Sequence, residues 1–256
     1  MKKTIQQRII GYLKPVSEGI VAADVRIELG YTSVRLDNGN IGIAWTAQTP
    51  SGSCTYEPKA GMLGGMKAGE LLDMLSVLHK PLSRSIGLAT ANALAAGLPR
   101  QETSRIDVLD LIQVQPSDHV VMVGFFGPLV PVLRQTGCRL DILELKTGKS
   151  GTMTPEEGWE SLAVCTVALI TATTMITGTT DEILAGLGNP RAAVILGPST
   201  LMCPEVFIDT PITHLAGVRI RDARAVEKIV SEGGGTMILK QHMDFETIHE
   251  LKKGLS

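Results

Sequence analysis

Three short stretches of this chain combine glycine, hydroxyl and carboxylate in patterns that suit the binding of a polar ligand. The first is Gly124-Phe125-Phe126-Gly127-Pro128. Two glycines and a proline make a tight turn into a helix, with Pro128 in the first turn, where a missing N–H costs nothing. The N–H groups left free at such a turn suit an anion. Glu144 follows Gly124 by twenty positions, the offset at which dinucleotide-binding domains place the acid that holds a ribose. The full three-glycine fingerprint is missing, so a structural turn and a solvated strand-end carboxylate beside Lys146 and Lys149 are the alternatives. The second stretch runs from Thr171 through Thr173, Thr174 and Thr177 to Thr180. Thr179 and Glu182 have the spacing of a capping box, which accounts for those two. The density of the other hydroxyls exceeds what capping needs and suits a polar or anionic ligand. The third is Gly197-Pro198-Ser199-Thr200, followed by Cys203-Pro204. Glycine permits close backbone approach there, and Ser199 and Thr200 offer hydroxyls. An ordinary Gly-Pro turn is the competing explanation.

Soft-metal ligands are sparse. The five histidines, His79, His119, His214, His242 and His249, show neither HxxxH nor HExxH spacing, and each reads first as a surface or core residue. Cys54, Cys138, Cys165 and Cys203 form no CxxC pair, which argues against a zinc ribbon or a redox dithiol. Cys203 is the best-placed thiol, and Cys54 lies in a loop from which it could reach a cleft; an ordinary cysteine is the first reading for both. Asn92 interrupts an apolar helical run, where asparagine is unfavourable. If buried it needs a hydrogen-bond partner, so it either ties two parts of the chain together or faces a ligand.

The elements that must position these residues fall into two sets. Residues 4–13 suit a short helix. Strand-like runs at 21–29, 31–36 and 41–45, with Asn38-Gly39 as a hairpin turn, predict an antiparallel meander. Residues 46–65 are rich in Pro, Gly and Ser and read as a loop. Helices are expected at 68–78 and 82–96. Strands followed by helices make an α+β unit. Beyond it, continuously apolar runs at 119–123, 140–145, 162–170, 192–196 and 215–220 alternate with helical segments near 128–135, 155–161, 181–187 and 223–232. Strands buried on both faces with crossover helices mean a parallel, Rossmann-like sheet, which binds ligands at its carboxyl edge. The expected division is residues 1–100 and 101–256.

The bulk numbers fit two such units. The chain has 256 residues, 44% hydrophobic and 20% charged, with a formal net charge of -2. Without a basic stripe it is not a general nucleic-acid binder. The amino terminus has no apolar signal-peptide core, and the apolar run at 162–170 is too short to span a bilayer. A cytoplasmic protein with a small-molecule partner, without nucleic-acid or membrane partners, is expected.

Taken in order, several segments resemble the putative heavy-metal chelation family: Ser85-Ile86-Gly87-Leu88-Ala89 with Asn92-Ala93, Val123-Gly124-Phe125-Phe126, Ile142-Leu143-Glu144, Pro155-Glu156-Glu157-Gly158, Ile170-Thr171, Gly197-Pro198-Ser199-Thr200 with Pro204, Val206 and Phe207, and Leu215-Ala216-Gly217 running to Asp222-Ala223-Arg224-Ala225. The resemblance implies an α/β protein, with an N-terminal α+β enolase-N-terminal-like module followed by a Rossmann-like domain, and a site in the cleft between them. On this chain that cleft would be lined by Asn92, Gly124, Phe125, Phe126, Gly127, Glu144, Thr171, Thr177, Gly197, Pro198, Ser199 and Thr200. Enolase chemistry does not come with the fold. A heavy-metal ion held through an organic chelator, such as a heterocycle, is the cargo this implies, with Phe125 or Phe126 stacking on it. The alternative is an enzyme using S-adenosylmethionine or a dinucleotide, held by Gly124, Gly127 and Glu144; no general base or nucleophile stands out to support it. A third reading is a domain used mainly for assembly with another protein.

Overall fold

The computed structural model describes residues 3–47, 56–144, 153, 155–249 and 251. Helix α1 (Ile5–Leu13) begins with a capping box, in which Thr4 and Gln7 bond each other's backbone, and buries Ile5, Ile9 and Leu13 at helical spacing. Strands β1 (Ala22–Ile27), β2 (Tyr31–Leu36) and β3 (Ile41–Trp45) form the expected antiparallel meander. The positive φ that the hairpin needs is supplied by Gly39. The helix expected at 68–78 ends sooner: α2 (Ala68–Asp73) passes into a 3₁₀ turn at Met74–Ser76. Helix α3 (Pro81–Ala95) follows and packs across β2 and β3. Gly42 permits that approach, because a Cβ there would run into the backbone of Ala89 and Ala93.

The second half begins with α4 (Val108–Ile112), β4 (His119–Val123), α5 (Leu129–Gln135), β5 (Arg139–Leu143) and α6 (Pro155–Val164). It continues through β6 (Val167–Thr171), α7 (Thr174–Thr177), α8 (Thr180–Gly186), β7 (Ala192–Leu196) and β8 (His214–Ile220). It closes with α9 (Ala223–Ser231), α10 (Thr236–Leu239) and β9 (Met243–Ile248). The sheet order is β5-β4-β6-β7-β8-β9, parallel through β8 and antiparallel at β9. The single strand expected at 162–170 is corrected: Leu162 to Val164 end α6, and the strand begins only at Val167. The run is apolar throughout apart from Thr166, so it carried no signal of the break, although Ala163 and Val164 at the helix end are exposed. Strand β9 and helices α4, α7 and α10 have no counterpart among the expected elements.

Alternate side chains of β4 enter different layers. Val121 and Val123 pack in a core with α6, α8 and the N-terminal elements, while Val120 and Met122 pack with α4 and α5. The first of these cores takes in Ile86, Leu88 and Leu94 of α3, so the two halves share one hydrophobic interior. The N-terminal sheet is also covered from its other side by α9, through Tyr31, Ile43, Val226 and Val230. Double cover explains why β2 is buried at nearly every position, without the alternation of a half-exposed sheet. Among the described residues no helix is long and apolar enough to cross a membrane.

Candidate functional site

Counting β4 as first, the parallel strands run 2-1-3-4-5, the flavodoxin-like order. Its reversal point lies between β4 and β6, and crevices form there at the carboxyl ends of the strands. Gly124 ends β4 and Thr171 ends β6. Gly124 has φ +88°, and a Cβ on it would lie 2.7 Å from Thr171 Cγ2. Only glycine allows both that backbone and that closeness. The Gly124 N–H donates to Leu143 O at 2.8 Å, and the next N–H, of Phe125, donates to Glu144 Oε2 at 3.2 Å. Glu144 is therefore a half-buried brace on the β4 loop, not merely a solvated strand-end carboxylate. Gly127 turns the chain beneath Phe125, whose ring lies 3.4 Å from where a Cβ would stand. Gly197, at φ +112°, ends β7 beside the Phe126 ring, at 3.8 Å by the same measure. The ends of the adjacent strands β4, β6 and β7 thus lie side by side, with Gly124 against Thr171 and Gly197 against the Phe126 ring.

The threonine hydroxyls are largely committed to one another. Thr171 Oγ1 lies 3.1 Å from Thr173 Oγ1, and Thr174 Oγ1 donates to Thr171 O at 2.9 Å. Thr180 Oγ1 donates to Thr174 Oγ1 at 3.0 Å, and Thr177 Oγ1 donates to Thr174 O and pairs with Thr179 Oγ1 at 2.9 Å. The capping box expected of Thr179 and Glu182 is not formed: Thr179 makes no side-chain cap bond, because its hydroxyl is taken by Thr177. Pro128 is the N-cap of α5, one position before the first turn where it was expected.

Asn92 and Ser199 belong to the joint between the halves. Asn92 Nδ2 donates to Ile43 O at 2.9 Å and to Ser199 O at 3.3 Å, while Ser199 Oγ accepts from the Trp45 N–H at 2.8 Å. Ser199 and Thr200 are buried, and Thr200 Oγ1 has no hydrogen-bond partner among the described residues. These bonds bring the end of β3 against the β7 loop beside Gly197 and Phe126. Pro198, Thr200 and Asn92 also line a separate cavity of about 770 Å³, opposite β8 and β9. Sequence reasoning missed Trp45 and Arg219 because nothing local marks a backbone N–H or a strand arginine as facing a cleft.

Among the described residues no three His, Cys, Asp or Glu side chains come together as a metal-binding group. Burial, then the Glu205 carboxylate, pushes the Cys203 thiol up to about 12, and burial pushes Cys165 up to about 11. Neither offers a thiolate at neutral pH. His119 Nε2 is bound to Asp141 at 2.8 Å and His214 Nδ1 to Thr213 Oγ1 at 2.7 Å. Cys54 lies outside the described residues. These donors do not fit a bare heavy-metal ion.

The fold defines a two-part α/β protein whose Rossmann-like half is bonded through its β7 loop to an N-terminal α+β unit. Family models described as "Putative heavy-metal chelation" match residues 107–248 and 11–95, and the chain belongs to that family. Its structure is similar to that of a protein of unknown function of this family from Pyrococcus horikoshii (TM-score 0.82, 21% identity, 96% of this chain and 100% of that one covered). Another family protein of unknown function, from Desulfitobacterium hafniense, aligns with TM-score 0.77 and 21% identity over 95% of this chain and 99% of that one. By sequence, an uncharacterized protein of Methanocaldococcus jannaschii is 23% identical over 165 residues, 62% of this chain and 63% of that protein's length.

Proposed function

We propose that the protein binds a planar, polar organic chelator, together with its heavy-metal ion, in the crevice at the β4/β6 reversal point. The observation that carries this reading is the side-by-side ending of β4, β6 and β7, where Gly124 packs on Thr171 and Gly197 lies against the Phe126 ring. Glycines let a flat ligand approach the backbone, and an aromatic face stacks on a heterocycle. The chelator, not the protein, would supply the metal's donor atoms, in keeping with the protonated, buried Cys203 and the engaged histidines. Thr171 and Thr173 would orient the ligand's polar edge; the Gly124, Phe125 and Phe126 N–H groups, expected to be free for an anion, already donate to Leu143 O, Glu144 and Met122 Sδ. A second reading, an enzyme using S-adenosylmethionine or a dinucleotide, draws support from the 2-1-3-4-5 order and from Glu144 at the end of β5.

Native mass spectrometry and elemental analysis of protein purified without chelators separate the two. A retained organic mass with equimolar metal, lost in Phe126→Ala, is the expected result. Retained S-adenosylmethionine or dinucleotide without metal would establish the second reading. A bare chain that also fails to bind the nickel complex of pyridine-2,6-dicarboxylate would overturn the first.

A further inference from the structure

The cavity of about 770 Å³ lies where β3 and the end of α3 face β8 and β9. That volume is in the range of small-molecule sites, roughly 300–1,000 Å³. None of Gly124, Phe126, Thr171 or Gly197 lines it, so it is distinct from the reversal-point crevice. Ile41, Ile43, Val218 and Ile220 form part of its apolar wall.

Its polar wall is an arginine cluster held in place by two carboxylates, of which Glu246 also lines the cavity. Glu246, buried, accepts from Arg219 Nε at 3.0 Å, Arg100 Nη2 at 3.4 Å and Thr103 Oγ1 at 3.1 Å. Asp244 accepts from Arg219 Nη2 at 2.6 Å and Arg105 Nη2 at 3.2 Å and pairs with Arg221 Nε at 3.1 Å. Four guanidiniums share two carboxylates, a local surplus of two positive charges. Glu205, also in the wall, accepts from Gln101 Nε2 at 3.1 Å; counting it leaves a surplus of one. Arg100, Arg219 and Arg221 all line the cavity. A guanidinium has five N–H donors, and the carboxylates engage only Nε and Nη2 of Arg219. Because Glu246 and Asp244 already order Arg219, a ligand would not have to immobilise that side chain on binding. A concave site with a positive surplus and apolar walls concentrates anions.

We infer that this cavity binds an organic carboxylate, its apolar body against Ile41, Ile43, Val218 and Ile220 and its charge on the guanidiniums of Arg100, Arg219 and Arg221. The test is calorimetric titration of the full chain with benzene-1,3-dicarboxylate at constant ionic strength, with the uncharged diamide as control. The expected result is saturable one-to-one binding of the dicarboxylate, on the order of 1 mM or tighter, and none of the diamide. Arg100 and Arg221 have side chains 67% and 50% exposed, so R100Q/R221Q should fold normally while weakening binding at least about tenfold. Phe126→Ala, which probes the other crevice, should leave this binding unchanged. Absence of saturable heat, equal binding of the diamide, or unchanged affinity in the folded double variant would each overturn the inference. Loss of binding in Phe126→Ala would overturn the separation of the two sites.

Discussion

Replacing Asn92 with leucine tests whether the joint between the halves is a hydrogen-bonded one. The side chain donates from Nδ2 to two carbonyls, Ile43 O at 2.9 Å and Ser199 O at 3.3 Å. Leucine has nearly the same size and no donor, so both carbonyls lose a partner. An orphaned buried acceptor costs roughly 1–3 kcal/mol. Asn92 is only half-buried, and the second bond is long, so the lower end applies to each, about 2 kcal/mol together. For a chain of this length each kcal/mol moves Tm by roughly 2–4 °C, so a fall of roughly 4–8 °C is expected. The assay is urea unfolding with calorimetry on wild type, Asn92→Leu, Ser199→Ala and the double variant. Ser199→Ala removes the acceptor of the Trp45 N–H and leaves Ser199 O in place. Because both changes act on one joint, their effects should be non-additive by roughly 0.5 kcal/mol or more. A stability within about 0.5 kcal/mol of wild type for Asn92→Leu, or strict additivity with Ser199→Ala, would refute the reasoning.

Two further outcomes follow from groups far from the crevice. Bonds from Arg191, at 3.0 and 2.6 Å, hold the Asp118 carboxyl well below the usual carboxylate range, with help from the Gln115 N–H and Thr166. The unfolded chain takes up this proton near pH 4 and the folded chain only at lower pH, so the stabilisation is complete above about pH 5 and drains away as pH falls. Urea midpoints from pH 6 to pH 2 should drop less steeply for Asp118→Asn than for wild type; parallel curves would exclude the pair as a source of acid sensitivity. Cys203 and Cys165, buried and raised to about 12 and 11, should resist a thiol-exchange reagent at pH 8 in the folded protein and react at once in denaturant. Peptide mapping checks this, and native labelling of Cys203 at the denatured rate would contradict its burial.

Much of the architecture was legible along the chain, because it depends on local pattern. His119–Val123 and Ala192–Leu196 read as inner parallel strands since every side chain in them is buried, on one face or the other. Asn38-Gly39 announced its hairpin, Gly197 was recognisable as a residue for a close backbone approach, Gly124 as part of a tight turn and Thr171 as one of a dense set of hydroxyls. Apolar composition also hid a boundary, since Leu162 to Val164 at the end of α6 and Val167 at the start of β6 are equally apolar, although Val164 is exposed and Val167 enclosed. Strand β9 escaped notice because Asp244 and Glu246 make its sequence look like a surface segment; their arginine partners, in the linker and on β8, make that polarity tolerable. Asn92 could be read as needing a partner, and two answers stayed open until the fold placed Ile43 and Ser199 beside it. Amino-acid pattern determined the N-terminal meander, the inner parallel strands and the longer helices, because those follow from neighbours a few residues apart. Strand order, the reversal point between β4 and β6, and the meeting of Arg100 with Arg219 were decided only by tertiary packing, which joins groups that no local periodicity connects.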